Sequence, residues 1–192
     1  MAHKKLRILY LARYLQERSD EEHPVGVGDM IAYLEGLGIP AERKALYDDL
    51  ELLRSFGMDI VHVRGKSHGY YLGQRTFELA ELKLLIDVIQ ASPFLTAKKS
   101  MELIGKLECL ASAPQAGGLR RQVHVLNRVK THNEQLYYNI DGIHQAIGDN
   151  RQIRFRYFDW AADGTRRYRR GGAFYQECPV ALCVDRNYYL IA

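Results

Sequence analysis

ERKALYDDLELLRSFG, residues 42–57, is the stretch from which the fold of this chain is best predicted. Leu46, Leu50 and Leu53 follow one another at the spacing that places side chains on one side of an α-helix. Gly57 stands where a helix commonly ends, because glycine readily adopts the left-handed conformation of a C-terminal cap. We therefore expect a helix over about residues 42–56 that buries its leucine side and exposes the opposite side.

The segments on either side of this helix complete the pattern of a small domain. Upstream, apolar residues at helical spacing predict two further helices, over about residues 4–17 and 28–36. Downstream, three short segments predict a β-hairpin: a strand over 59–64, a glycine-bracketed turn over 65–69 and a return strand over 70–72. The order helix, helix–turn–helix, β-hairpin is that of a winged helix-turn-helix domain, which we place at residues 1–73.

The remainder of the chain predicts a helical connector followed by a β-rich domain. Helical periodicity continues over about residues 78–110 with a break near Ser92-Pro93, and residues 113–118 are expected to form a loop. A further helix is predicted from about residue 139 to 148, and four strand candidates follow it, over about 152–158, 167–175, 180–184 and 188–192. We therefore predict an α+β protein with a connector over residues 74–138 and a last domain over residues 139–192.

The bulk composition points to a folded protein. The 192 residues are 47% hydrophobic and 26% charged, which is ordinary for globular domains. No apolar run approaches the roughly 18 residues that a membrane span needs, and the N-terminus lacks a signal-peptide pattern. We therefore expect a cytoplasmic protein with no membrane partner.

The three cysteines are widely spaced and form no CxxC pair, so we expect them to be small buried residues.

The outward side of the helix over residues 42–56 carries groups suited to DNA. In a helix-turn-helix, the N-terminal residues of the second helix meet base edges and phosphates, and a wing contacts the flanking backbone. The candidate DNA-binding residues are Arg43, Lys44 and Tyr47 on the helix and Arg64, Lys66 and His68 on the hairpin. An ordinary mixed-charge solvent face is the alternative, because four acidic side chains on the same helix would repel phosphate: Glu42, Asp48, Asp49 and Glu51.

Arginine is concentrated near the C-terminal end. The positive charges of residues 139–192 are all arginines, and most of them fall within residues 151–170. The planar guanidinium fork suits phosphate and carboxylate groups. Arg154 and Arg156 alternate with Ile153, Phe155 and Tyr157 along a predicted strand, so their side chains share one face. Two interpretations stay open for this face: a solvated sheet surface, and an anion or nucleotide site with stacking aromatics.

An enzymatic function has little support in the sequence. The histidines show no HExxH spacing, and the chain contains no P-loop and no dinucleotide-binding glycine motif. GKSHG at residues 65–69 matches GxSxG in its letters, but it falls in the predicted hairpin turn and not in the strand-to-helix turn that a nucleophilic serine needs. We therefore predict no catalytic residues, no metal site and no cofactor. A nucleotide-processing enzyme would need a metal or nucleophile cluster that the sequence lacks.

Three stretches carry a resemblance to known proteins: GIPAERKALYDDLELL at residues 38–53, the segment 140–157, and CPVAL with NYYL between residues 178 and 190. Together they resemble a known family of bacterial transcriptional regulators, which join a DeoR-type winged helix to a WYL domain. Residues 38–53, GIPAERKALYDDLELL, are similar to the family's recognition-helix pattern, although Ala45 replaces a hydroxyl residue and Asp48 an arginine. Residues 140–157 resemble the helix and strand that open a WYL domain. CPVAL at residues 178–182, followed by NYYL at 187–190, is similar to the signature itself, with Tyr188 in place of tryptophan.

The resemblance implies a fold and a function. It implies a homodimeric regulator that binds a double-stranded DNA operator, with an Sm-like β-barrel that senses a nucleic acid or small anionic effector. Because the sequence ends inside a predicted strand, we expect this barrel to be partial, incomplete at its C-terminus. The candidate effector-binding residues are Arg154, Arg156, Tyr157, Arg169, Tyr188 and Tyr189. The alternative function is a ligand- or protein-binding adaptor that has lost sequence-specific DNA binding.

Overall fold

The chain is an α+β protein that divides into two compact units. The structure, a computed structural model, describes residues 2–65, 68–122, 130–131, 133–185 and 187–192. The first unit comprises Met1–Pro93 and Ala97–Lys130, and the second comprises Phe94–Thr96 and Thr131–Ala192. The α+β class predicted from the sequence is thus confirmed. The segment predicted as a connector, residues 74–138, is shared between the two units.

The first unit contains six helices and one hairpin in its described part. In chain order these are α1 (Ala2–Arg18), α2 (Val27–Gly36), α3 (Arg43–Ser55), β1 (Ile60–Val63), β2 (Gly69–Leu72), α4 (Leu79–Ala91), α5 (Ala97–Glu108) and α6 (Ala113–Gln122). The second unit continues with α7 (Gln135–Gly148), β3 (Ile153–Phe155), β4 (Phe158–Trp160), β5 (Arg166–Tyr168), a 3₁₀ turn (Arg169–Gly172), β6 (Tyr175–Glu177), β7 (Ala181–Asp185) and β8 (Asn187–Ile191).

A leucine-rich core holds α1, α2 and α3 together. Leu46 and Leu50 of α3 are fully or almost fully buried and belong to one cluster with Leu11 of α1 and Leu34 of α2. The helical spacing of the leucines in α3 is thereby confirmed as the side that faces the core. Truncating a leucine buried in this way costs about 2–5 kcal/mol of stability, so this cluster fixes which side of α3 remains outside.

Both α2 and α3 end at a glycine with a positive φ angle. Gly57 has φ of 107° after α3, and Gly38 has φ of 72° after α2. The amide of Met58 donates to the carbonyl of Leu53, and that of Gly57 donates to Arg54, which is the Schellman pattern. This cap satisfies carbonyl groups that the helix end leaves free, and it turns the chain into β1.

The hairpin is antiparallel and carries a third short strand segment at its edge. Ile60 pairs with Leu72 and Val63 with Gly69, while Val25 forms a bridge to Tyr70. The sequence places Gly69 in the turn, and this prediction is wrong because Gly69 begins β2. A Cβ at this position would lie 2.7 Å from the carbonyl oxygen of Val25, so the close approach of another backbone requires glycine here.

The helix α6 replaces a predicted loop. Residues 113–118 contain proline and two glycines, but the segment is helical from Ala113 onwards. The amide of Gln115 donates to the hydroxyl of Ser112 at 3.3 Å, and the Gln115 side chain accepts from the amide of Ser112 at 3.4 Å. This is a capping box, and Pro114 is tolerated because the first turn has no internal partner for its amide.

A buried polar network joins this cap to the loop after α1. Asp20 accepts hydrogen bonds from the hydroxyl of Ser112 and from the backbone amide of His23, the latter at 3.0 Å. The hydroxyl of Ser19 accepts a hydrogen bond from the amide of Leu72 at 3.1 Å. Ser19, Asp20 and Ser112 are all buried. The α5–α6 turn is therefore attached to the three-helix core by satisfied polar contacts.

In its described residues, the second unit contains α7, a 3₁₀ turn and three antiparallel strand pairs, which are β3 with β6, β4 with β5, and β7 with β8. Of the side chains described between Asn133 and Ala192, none is buried. The single strand predicted over residues 152–158 is divided in the structure, since Arg156 and Tyr157 lie between β3 and β4. The expected burial of the cysteines is also wrong, because all three are exposed.

Candidate nucleic-acid interface

The first turn of α3 presents its basic side chains to solvent. Arg43 and Lys44 are the first two residues of the helix and both are exposed, and Tyr47, one turn later, is 45% exposed. The burial of Leu46 and Leu50 on the opposite side fixes this orientation. Because a helix N-terminus carries partial positive charge, the two cations add to a field that already attracts phosphate.

A buried ion pair between α1 and α3 removes one acidic group from this face. The carboxylate of Asp49 accepts hydrogen bonds from the Nε and Nη2 atoms of Arg7, the second at 3.0 Å. The two side chains are only 8% and 11% exposed. The hydrogen bond with Asp49 raises the pKa of Arg7, although burial acts in the opposite direction. The expectation that Asp49 repels phosphate is therefore wrong, because its carboxylate is turned inward and neutralised.

A second ion pair engages Glu51. Its carboxylate accepts a hydrogen bond from Nη1 of Arg54. The Nε atom of the same arginine donates to the carbonyl of Ile60 at 2.8 Å, and its guanidinium lies 5.9 Å from the ring centroid of Tyr70. Arg54 thus ties the end of α3 to both strands of the hairpin while it neutralises a neighbouring acid.

Three of the four acids on α3 and its N-cap remain solvent-facing. Glu42, the N-cap residue, and Asp48 are both exposed, and Glu51 is 68% exposed although it pairs with Arg54. Two acids and two basic residues share the start of the helix, so its local charge is close to balanced. Arg43 and Lys44 occupy the first turn of α3, whereas Asp48 lies in the second turn.

The hairpin carries a cluster of aromatic and basic groups. The His62 ring stacks on the Tyr70 ring with centroids 4.5 Å apart. The His68 ring contacts the His62 ring edge-on, with centroids 5.1 Å apart. Burial lowers the pKa of His62, and the charges of His68 and Arg64 lower it further. The predicted residues Arg64 and His68 are exposed. Lys66, predicted at the tip, lies outside the described residues.

Two predicted effector residues of the second unit converge on one aromatic ring. The guanidinium carbons of Arg154 and Arg156 lie 4.1 Å and 4.9 Å from the ring centroid of Phe174. Arg156 is also 5.5 Å from the ring of Tyr168. Such distances are within the range of cation–π attraction. Both arginines are exposed, and no described carboxylate forms an ion pair with either.

The other predicted effector residues fall into separate contacts. The guanidinium of Arg169 lies 4.6 Å from the ring of Tyr157, and it forms an ion pair with Asp159 at 2.9 Å. Tyr188 meets Phe94 edge-on at 4.5 Å, and Tyr189 on β8 is 53% exposed. Within the described residues, no contact joins these two tyrosines to the arginines. The six predicted effector residues therefore divide among several separate contacts. Arg154 and Arg156 are the arginines of this set that have no acidic partner among the described residues.

Sequence reasoning missed the aromatic partners of the arginines. Phe174 was not singled out, although it receives two guanidinium groups, and Arg166 lies 4.9 Å from Phe158 and 5.5 Å from Trp160. Arg170 lies 4.5 Å from Tyr175. The alternation of arginine and aromatic residues between positions 154 and 175 indicated that such contacts could form. It could not predict which ring each arginine contacts, because that depends on how the strands pair.

Neither a metal site nor a membrane span is found in the part of the chain that the structure describes. Over those residues, no three histidine, cysteine, aspartate or glutamate side chains lie together as metal ligands would. None of the described helices has the length and apolar character needed to cross a bilayer.

No family model, curated protein or solved structure matches the chain.

Proposed function

We propose that this protein is a DNA-binding transcriptional regulator. In this proposal α1–α3 and the β1–β2 hairpin form a winged helix-turn-helix with α3 as its recognition helix. The second unit is a WYL-type domain of Sm-like strands that senses an effector. The observation that carries the proposal is the outward side of α3, where Arg43 and Lys44 are exposed while Asp49 and Glu51 are engaged in ion pairs.

The proposed contact with DNA divides into two parts. Arg43 and Lys44 meet phosphates or base edges at the N-terminal end of α3, and Tyr47 donates its hydroxyl to a phosphate or packs on a sugar. Arg64 and His68 of the hairpin contact the backbone beside the groove. The first part supplies sequence preference, and the second part supplies affinity that depends little on sequence.

The test of this contact is the salt dependence of binding to double-stranded DNA. Each phosphate contact that is removed should lower the slope of log affinity against log salt concentration by about 0.9. We expect this reduction in Arg43→Ala and in Lys44→Ala on a duplex from upstream of the protein's own gene. Arg13→Ala is the matched control, because Arg13 is an exposed α1 residue paired with Glu17. Unchanged affinity and slope in both α3 variants would remove these residues from the interface.

We further propose that the surface formed by Arg154, Arg156 and Phe174 binds the effector, a nucleic acid or small phosphate-bearing anion. The two guanidinium groups share one ring and have no described acidic partner, so both remain available for phosphate. Tyr157, Tyr188 and Tyr189 offer further rings for stacking, whereas Arg169 is already engaged by Asp159.

Calorimetry with a short single-stranded oligonucleotide tests the effector site. The double variant Arg154→Ala plus Arg156→Ala should lose the oligonucleotide while it keeps duplex binding. Arg151→Ala is the control, because this neighbouring arginine already pairs with Asp149. If the double variant loses duplex binding and keeps the oligonucleotide, the two arginines serve the operator directly and the effector assignment is wrong.

A second candidate function follows from the acids that remain exposed on α3. Asp48 and Glu51 face solvent on the same helix as the basic residues, which favours an adaptor that has lost sequence-specific DNA binding. Such an adaptor would not bind duplex DNA at low salt, yet it would retain the oligonucleotide response of Arg154 and Arg156.

We propose a homodimer for the regulator, and sedimentation equilibrium distinguishes one copy from two.

A further inference from the structure

A cavity of about 270 Å³ lies within the first unit, beside the segment that joins α3 to β1. Its walls come from four parts of the chain: Gln16 near the end of α1, residues 57–59, Leu72 with residues 74–76, and residues 109–110, which follow α5. The cavity is smaller than the roughly 300–1,000 Å³ typical of sites for drug-sized ligands. Its occupant would therefore be a small metabolite.

Arg75 supplies the positive charge of this cavity. Its Nη2 atom donates to the carbonyl of Ser19 at 2.6 Å, and its Nη1 atom donates to the carbonyl of Leu110 at 3.5 Å. A guanidinium has five N–H donors, so these two contacts leave several free. Burial lowers the pKa of Arg75, and the charge of Asp20 acts in the opposite direction. No described carboxylate forms an ion pair with Arg75, so a half-buried cation lacks a direct counter-ion.

Asp59 supplies a negative charge to the same cavity. Its backbone carbonyl accepts a hydrogen bond from the amide of Gly73 at 2.7 Å. Its carboxylate lies so close to Gly73 that a Cβ there would collide with it. The exposed side chain of Asp59 therefore lies where the chain leaves the hairpin. The same cavity is lined by the apolar side chains of Met58 and Leu110.

We propose that this cavity binds a free amino acid. Arg75 holds the α-carboxylate of the ligand, Asp59 holds its ammonium group, and the ligand side chain packs on Met58 and Leu110. One cation, one anion and an apolar wall in about 270 Å³ match the three parts of such a zwitterion. A zwitterion contacts Arg75 and Asp59 with opposite charges, whereas a simple anion at Arg75 would lie beside the like-charged carboxylate of Asp59.

The position of the cavity gives the ligand a route to the proposed DNA contact. Residues 57–59 join the C-terminal cap of α3 to β1, and they line the cavity. A ligand that contacts this segment favours one arrangement of α3 and the hairpin over others. If duplex binding also favours one arrangement, the two ligands are coupled, typically by about 5–150-fold in affinity. The amino-acid site itself does not depend on the proposed function.

The test is a thermal-shift screen of the full chain, without DNA, against the twenty proteinogenic amino acids at millimolar concentration, followed by calorimetry on those that stabilise it. We expect at least one saturable ligand with an apolar side chain. Its decarboxylated amine and its deaminated acid should bind at least tenfold more weakly, because each lacks one charged contact. If none of the twenty binds, the proposal is overturned. Equal binding of the deaminated acid would make this a carboxylate site and would also overturn it.

Two substitutions locate the site. Asp59→Asn and Arg75→Lys should each weaken the ligand about tenfold or more, since one removes a charge and the other the bidentate fork. Arg75→Lys keeps a cation for the Ser19 and Leu110 carbonyls, and Asp59→Asn keeps the backbone contact with Gly73, so both variants should fold. Glu35→Gln, at an exposed position on α2, is the control. Unchanged binding in both variants would place the ligand elsewhere and overturn the proposal.

Discussion

The buried Arg7–Asp49 ion pair allows the most quantitative prediction. Water screens it little, because its side chains are only 11% and 8% exposed. Arg7→Met removes both hydrogen bonds to Asp49 and leaves a buried carboxylate without its partner. Breaking a buried pair in this way costs about 3–5 kcal/mol. At about 2–4 °C per kcal/mol for a chain of this size, the melting temperature of the first unit should fall by about 6–20 °C.

The assay is urea unfolding followed by far-ultraviolet circular dichroism, whose helical signal comes mostly from α1–α6 of the first unit. Arg7→Met plus Asp49→Leu should be less destabilised than the sum of the single variants, by about 0.5–3 kcal/mol, because no unpaired charge remains. Arg13→Ala, which breaks an exposed pair on the same helix, is the control. If Arg7→Met unfolds at the same urea concentration as Arg13→Ala, the pair does not fix α3 and the reasoning is refuted.

Two further predictions concern the packing of the first unit. Gly69→Ala places a methyl group 2.7 Å from the carbonyl oxygen of Val25, so the free energy of unfolding measured in urea should fall by about 1–3 kcal/mol. Gly105→Ala is the control and should not destabilise the protein, because the space around this position on α5 is open. Burial raises the pKa of Asp20, but its hydrogen bonds, led by that from Ser112, bring the pKa below 3.8. The stabilisation by Asp20 should therefore be complete above pH 3.8 and lost as the pH falls through the lowered pKa, so Asp20→Asn should flatten the acid limb of a stability–pH profile. An equally steep limb in that variant would contradict the assignment.

The periodic features of the chain were predictable from the sequence. The leucines of α3 recur at helical spacing, and Gly57 follows them, so the helix, its buried side and its cap were all deduced correctly. The break between α4 and α5 at Ser92-Pro93 was likewise visible, because proline disfavours helical geometry in the residue before it. Local signals of this kind need no knowledge of distant contacts.

The contacts that define the site depended on partners far apart in sequence. Arg7 and Asp49 are 42 positions apart, so nothing near Asp49 indicated that its carboxylate turns inward. The proline and glycines at residues 113–118 led to the prediction of a loop. The capping box formed by Ser112 and Gln115 was the better signal, because it marks the start of α6. Along residues 152–158 the alternation persisted, yet the chain pairs with two different strands, β6 before Arg156 and β5 after it.

Sequence-specific recognition of duplex DNA by α3 is the central claim, and selection from a random double-stranded library tests it most directly. The protein should enrich one motif reproducibly. If the protein is a homodimer, the motif should contain two inverted half-sites about 10 base pairs apart, centre to centre. Arg43→Ala or Lys44→Ala, whichever removes a base contact, should enrich a motif with at least one position relaxed. Arg13→Ala should enrich the original motif unchanged. Enrichment of no motif by the unmodified protein, or of the same motif by Arg43→Ala, by Lys44→Ala and by the double variant, would contradict the account.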